Sequence, residues 1–165
     1  PRSKSIQTTP AHQLALAAVY YSPLQYMYWY DKPSDSQDEP ELKFFDDVYT
    51  TWDDTKVLQG EVGEFITIAR RKGEEWFIGS ITNNEKRVLS VSLDFLPEGK
   101  NYIAEIYTDG DKSVKTRTKV RVSTYRVSNK TKLNFCLKAS GGGAVRLVPD
   151  DGNIKSVKNY KQQRL

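Results

Sequence analysis

The chain contains a single thiol, Cys136, and a single imidazole, His12. A nucleophile–base pair would have to bring the front of the chain onto a segment near its far end, so His12 is read as a helix residue and Cys136 as a half-buried strand residue. One cysteine excludes an intramolecular disulfide, and one histidine argues against a zinc site of the usual Cys/His type. No Gly-x-Ser-x-Gly elbow, Gly-x-Gly-x-x-Gly loop or P-loop is present. Gly141-Gly142-Gly143 lacks the Lys-Ser/Thr of a phosphate cradle and is read as a turn between strands.

Carboxylates are the next candidates. Glycoside hydrolysis needs two of them across a cleft, roughly 5–10 Å apart. Asp46, Asp47, Asp53, Asp54, Glu61 and Glu64 are available, but adjacent Asp53 and Asp54 in extended chain point to opposite faces. Nothing in the spacing selects another pair, so these acids are read as solvated or as partners for basic residues elsewhere. Asp35, Asp38, Glu39 and Glu41 lack the Asp-x-Asp-x-Asn-Gly order of a calcium loop.

Lys115, Arg117, Lys119 and Arg121 alternate with Thr116, Thr118, Val120 and Val122, which predicts one basic strand face. A nucleic-acid reader would interleave aromatics for base stacking. None are interleaved, so the face is read as a wet one that discourages edge pairing. The aromatic cluster Tyr20, Tyr21, Tyr26, Tyr28, Trp29 and Tyr30 is the strongest local signal. It admits two readings. Tyr28, Trp29 and Tyr30 could bind sugar as a stacking platform, or the cluster could anchor an interface with protein outside this chain.

The elements that would position these groups fall into a helical front and a long β region. Thr8-Thr9-Pro10 predicts a helix start, with Thr as N-cap and Pro at the first helical position. Leu14 to Tyr21 then form one unbroken apolar run. A helix that is apolar all round is buried on every side, which a lone domain of this size struggles to achieve. Exposed apolar surface is therefore expected around Leu14, Leu16, Val19 and Tyr20. Pro23 ends or bends this helix, residues 31–39 read as a loop, and Pro40 to Asp47 as a short helix presenting Leu42, Phe44 and Phe45. From about Thr55 the period changes to two. Leu89, Val91, Leu93 and Phe95 alternate with polar neighbours, as do Leu133, Phe135 and Leu137. With turn signals at Lys72-Gly73, Asn83-Asn84, Pro97-Glu98-Gly99 and Asp109-Gly110, seven or eight short strands predict an antiparallel β-sandwich. The tail 150–165 is expected to fray.

The 165 residues allow one domain or one domain plus a short appended piece. Leu, Ile, Val and Phe number 39, enough to favour folding over disorder. No stretch approaches the roughly 18 apolar residues of a membrane span. The net charge of +4 hides an asymmetry: −6 over residues 1–64, +8 over 65–149 and +2 over the tail. Such a division suits either a polyanion-binding surface or two halves that attract each other.

Several runs carry a resemblance. Gln7-Thr-Thr-Pro-Ala-His-Gln-Leu-Ala-Leu16, Tyr21-Ser-Pro-Leu-Gln25 and Thr51-Trp-Asp-Asp-Thr-Lys-Val-Leu58 resemble the C-terminal portion of glycoside hydrolase family 97. So do Gly60-Glu-Val-Gly63, Ile68-Ala-Arg-Arg71, Glu75-Trp-Phe-Ile-Gly79, Leu93-Asp-Phe-Leu-Pro97 and Ala139-Ser-Gly-Gly142. These runs are collinear over roughly residues 6–149. The resemblance implies a mainly β fold: a C-terminal antiparallel β-sandwich over 51–149, preceded over 1–50 by a helical segment resembling the end of a (β/α)8 barrel. It implies a parent that is a calcium-dependent, exo-acting α-glucosidase or α-galactosidase acting on α-linked oligosaccharides, periplasmic or secreted. The family's catalytic and calcium-binding carboxylates lie before the Thr-Thr-Pro-Ala-His-Gln stretch, so no catalytic or metal-binding residue carries over to a position here.

The sequence, which has no initiating Met and no signal peptide, is accordingly read as a piece of such a hydrolase. It is expected to be inactive alone, to need no cofactor itself, to support the barrel and to take part in a homo-oligomer. The readings from other classes are an autonomous carbohydrate-binding module using Tyr28, Trp29 and Tyr30, and a nucleic-acid-binding β-domain.

Overall fold

A computed structural model describes residues 7–25, 29, 34, 39–154 and 156–161. Helix α1 (Pro10–Val19) is followed by a 3-10 turn (Pro40–Leu42) that runs into the short helix α2 (Lys43–Asp47). Eight strands follow among the described residues: β1 (Asp54–Glu61), β2 (Phe65–Lys72), β3 (Glu75–Thr82), β4 (Arg87–Ser92), β5 (Asn101–Asp109), β6 (Val120–Ser128), β7 (Lys132–Leu137) and β8 (Gly142–Pro149). They form a six-stranded antiparallel sheet in the order β1-β2-β3-β8-β5-β6 and a two-stranded sheet, β4-β7.

The hydrophobic pattern explains this layering. In β4 and β7 buried and solvent-facing residues alternate, with Leu89 and Val91 facing Leu133, Phe135 and Leu137. One covered face produces that alternation. In β3 and β8 the burial is nearly continuous, from Trp76 to Ser80 and from Gly142 to Val145, because both faces of the large sheet are covered. Trp76, Ile78, Ile106, Val145 and Leu147 fill the space beneath β4-β7. Phe77, Tyr107, Val120 and Ala144 fill the opposite face beneath α1 and Phe44 of α2.

Helix α1 starts as its sequence predicts: the Thr9 hydroxyl accepts the N–H of His12 and Pro10 occupies the first turn. Its neighbours differ from expectation. Leu14, Ala15 and Ala18 are fully buried and Val19 nearly so, against the sheet of this same chain. The exposure expected at Leu14 and Val19 is therefore corrected; Leu16 is half-buried, and of the four residues only Tyr20 stands out in solvent. The physical reason is close approach. A Cβ on Gly79 would lie 2.5 Å from the Ala15 carbonyl oxygen, and one on Gly142 would lie 2.5 Å from the His12 Cα. With no side chain at either position, the helix backbone rests directly on β3 and β8. Trp29, Leu42, Phe44 and Phe45 pack in the same cluster as the helix.

Three further expectations change. Most of the basic run 115–121 is not strand: β6 begins at Val120, so of the four basic residues only Arg121 lies on it, and Lys119 takes a left-handed φ of 58° in the preceding turn. The Gly141-Gly142-Gly143 run is mostly strand, since Gly142 and Gly143 open β8 and the turn lies before them, where Ser140 has φ 53°. Beyond Pro149, where fraying is expected, residues 157–160 are tied to β6. The Arg126 N–H donates to the Lys158 carbonyl and the Tyr160 N–H to the Arg126 carbonyl, each at 2.9 Å.

Candidate interaction surfaces

The C-terminal end of α1 is closed by a residue from β2. The Arg70 guanidinium is buried. It donates to the Val19 carbonyl at 2.8 Å, to the Ala18 carbonyl and to the Thr55 hydroxyl. Helix carbonyls that have no partner within the helix are thereby satisfied by a cation at the negative end of the helix dipole. The Tyr21 ring lies over the same guanidinium, 5.1 Å from its centre. At the other end, His12 Nδ1 lies 3.1 Å from the Gly141 carbonyl and the Thr9 N–H donates to the Ser140 carbonyl. Burial holds the His12 imidazole below its ordinary pKa.

The acidic front and basic middle meet in ion pairs. Arg146 of β8 holds Asp47 of α2 and Glu75 of β3, each at 2.8 Å, and Glu105 of β5 at 3.6 Å. Asp53 accepts the Lys72 ammonium and the Gly73 N–H; that N–H and then Lys72 hold its carboxyl below the usual range. Glu64 pairs with Arg87. The acids of the front half are thus structural partners, as the plainer reading has it. Asp46 and Glu61 are the exceptions among the six, with no ion pair among the described residues.

Of the residues proposed to bind sugar, Trp29 is 8% exposed. Its indole N–H donates to Glu39 Oε2 at 3.0 Å and its ring meets Phe45 edge-on. Tyr28 and Tyr30 lie outside the described residues. Glu41 is fully buried and takes the Thr118 hydroxyl, while Glu39 lies 3.7 Å from Arg117; Asp35 and Asp38 lie outside the described residues. Among the described residues no three His, Cys, Asp or Glu side chains converge as metal ligands. Cys136 is exposed on the outer side of β7 rather than half-buried.

What remains open is surface. The six-stranded sheet has two lateral edges. The tail covers that of β6, whereas β1 pairs with β2 alone among the described residues. An uncovered strand edge is a template for another chain. Val57 on β1 and Val62 at the β1–β2 turn are exposed beside it, over a groove lined also by Ile66 and Ile81. A second apolar patch, Tyr20, Tyr21 and Leu24, follows α1. Sequence reasoning passed over Val57 and Val62 because strand periodicity alone does not show where the helical layer stops.

Comparisons with known proteins agree with these observations. A family model described as "Glycosyl-hydrolase 97 C-terminal, oligomerisation" matches residues 51–148. A retaining alpha-galactosidase of Bacteroides thetaiotaomicron is 34% identical over 142 residues, 86% of this chain and 21% of that protein. A family 97 glycoside hydrolase from Pseudoalteromonas sp. strain K8, solved with acarbose, superposes with a TM-score of 0.78 at 37% identity, covering 87% of this chain and 23% of the enzyme. A beta-arabinopyranosidase structure is similar at 25% identity and a TM-score of 0.68, covering 85% of this chain and 21% of that one. The chain thus spans between a fifth and a quarter of the length of these relatives.

Proposed function

The chain belongs to glycoside hydrolase family 97, and from that membership we propose that it is the non-catalytic C-terminal region of a longer exo-acting α-galactosidase or α-glucosidase. Its work is to brace the catalytic barrel and to take part in self-association. The observation that carries this reading is the division of its surface. The described acids that the sequence offered for catalysis are mostly spent in ion pairs, whereas apolar side chains stand in solvent at Tyr20, Tyr21, Leu24, Val57 and Val62. Clusters of exposed apolar side chains such as these two mark interaction surfaces. The calcium that the family resemblance implies would then belong to the catalytic part.

The test has two arms. The chain with calcium should show no turnover of p-nitrophenyl α-galactoside or α-glucoside; clear turnover sinks the reading. In sedimentation equilibrium the chain should associate with itself, and Val57→Lys with Val62→Lys should shift it toward monomer. An unshifted distribution rejects the β1 edge as the contact.

A further inference from the structure

The two sheets are unequal, and the two-stranded one leaves part of the large sheet's inner face bare. On β6, Val127 belongs to the inter-sheet core and Tyr125 packs against it, so Ser123 and Arg121, at the same strand parity, continue that inner face. On β5, Tyr102, Ala104 and Ile106 belong to that core, and Thr108 continues their side. A sandwich interior calls for apolar residues at such positions. Here the sequence places a threonine, a serine, a tyrosine and an arginine, so the face is built for contact with something polar.

These residues floor an open groove of about 780 Å³, walled by β7 at Leu133–Phe135 and by the tail at Val157–Lys161. A second hollow shares Thr108, Arg121, Tyr125 and Asn134 with it and continues toward Lys86 and Arg87. The volume falls within the roughly 300–1,000 Å³ of ligand sites. The groove is held in shape by the tail. The Tyr160 hydroxyl accepts the Asn134 N–H at 3.0 Å, and the Tyr160 ring meets Tyr125 edge-on at 5.4 Å. Arg126 fixes the same segment through Asp150 and the Ile154 carbonyl.

The lining is aromatic, hydroxylic and cationic together. Tyr125 and Tyr160 offer ring surface, Thr108 and Ser123 hydroxyls, and Asn134 an amide. Arg121, Arg126, Lys158 and Lys161 border the tail-side hollow, which no acidic side chain lines among the described residues, whereas Asp109 and Asp111 line the adjoining one. Arg121 and Arg126 are paired with Asp111 and Asp150, whereas no ion pair engages Lys158 or Lys161 among the described residues. Rings pack the C–H faces of a pyranose, hydroxyls and amides bond its hydroxyl groups, and lysines hold a carboxylate as point charges. We propose that this groove binds an oligosaccharide carrying carboxylated sugars. The proposal does not depend on how the chain self-associates, because the groove and the β1 edge lie at opposite ends of the six-stranded sheet.

The test is calorimetric titration of the chain with oligogalacturonides and with neutral galacto-oligosaccharides of equal length. Saturable binding of the acidic series is expected, with neutral chains about tenfold weaker for want of charge-assisted bonds. Ser123→Trp, which fills the groove, should abolish it, and exposed Lys158→Glu with Lys161→Glu should remove the preference for acid. Melting curves matching the unaltered chain keep both variants interpretable. No binding at low salt overturns the proposal. So does binding that survives Ser123→Trp, or equal affinity for single-stranded DNA, which marks a mere polyanion surface.

Discussion

Gly79 of β3 and Ala15 of α1 lie so close that a methyl group at position 79 would stand 2.5 Å from the Ala15 carbonyl oxygen. That contact is with backbone, which cannot swing aside as a flexible side chain can. Gly79→Ala is therefore expected to lift α1 from the sheet and cost about 2–3 kcal/mol, the range of core overpacking. Thermal melting checks it; a loss below about 0.5 kcal/mol, the scale of an ordinary surface substitution, would mean that the helix sits less tightly than described.

Arg70 closes the other end of the same helix. Arg70→Met removes the donors to the Val19 and Ala18 carbonyls and leaves buried acceptors unpaired, at about 1–3 kcal/mol. Arg70→Lys keeps the charge but loses the fork, so only part of the stability should return. Full recovery by lysine in denaturant unfolding would show that charge alone matters at this position.

The Arg146 cluster joins α2 to three strands. Arg146→Met leaves Glu75 without its cation and Asp47 and Glu105 with Lys43 alone, and about 1–3 kcal/mol should be lost, the scale for unpairing a part-buried charged hydrogen bond. Adding Glu75→Gln should restore part of that loss. If the two substitutions simply add, the residues are not coupled.

His12 makes the packing of α1 sensitive to pH. Burial, partly opposed by the Gly141 carbonyl, places its folded pKa below the ordinary 6.5. The unfolded chain then binds the proton more readily, so stability is present above about pH 6.5 and falls as the pH drops through that value toward the folded pKa. Melting temperatures between about pH 7.5 and 5.5 should decline more steeply for the unaltered chain than for His12→Gln. Parallel curves would assign the decline to other groups.

Much of this fold is legible in the residues. Period-two runs at 87–92 and 132–137 locate the one-sided strands, and Gly73, with φ 57°, marks the β2–β3 turn that left-handed backbone requires. Thr9-Pro10 announces α1, and the opposite charges of front and middle anticipate their ion pairs. The basic run 115–121 misleads because alternation of exposure arises in a turn as well as in a strand.

The sequence by itself determined the strands, the helix start, the charge partition and the family, since each rests on neighbours in the chain or on runs of residues read in order. Tertiary structure alone decided what buries the apolar helix. That answer depends on two glycines, Gly79 and Gly142, some 60 to 130 positions away from it. What matters at both is an absent side chain, which no local pattern marks as a seat for a helix. The same holds for the groove beneath Tyr125 and Tyr160. Its polar lining becomes meaningful only once the two-stranded sheet proves too narrow to cover the six-stranded one.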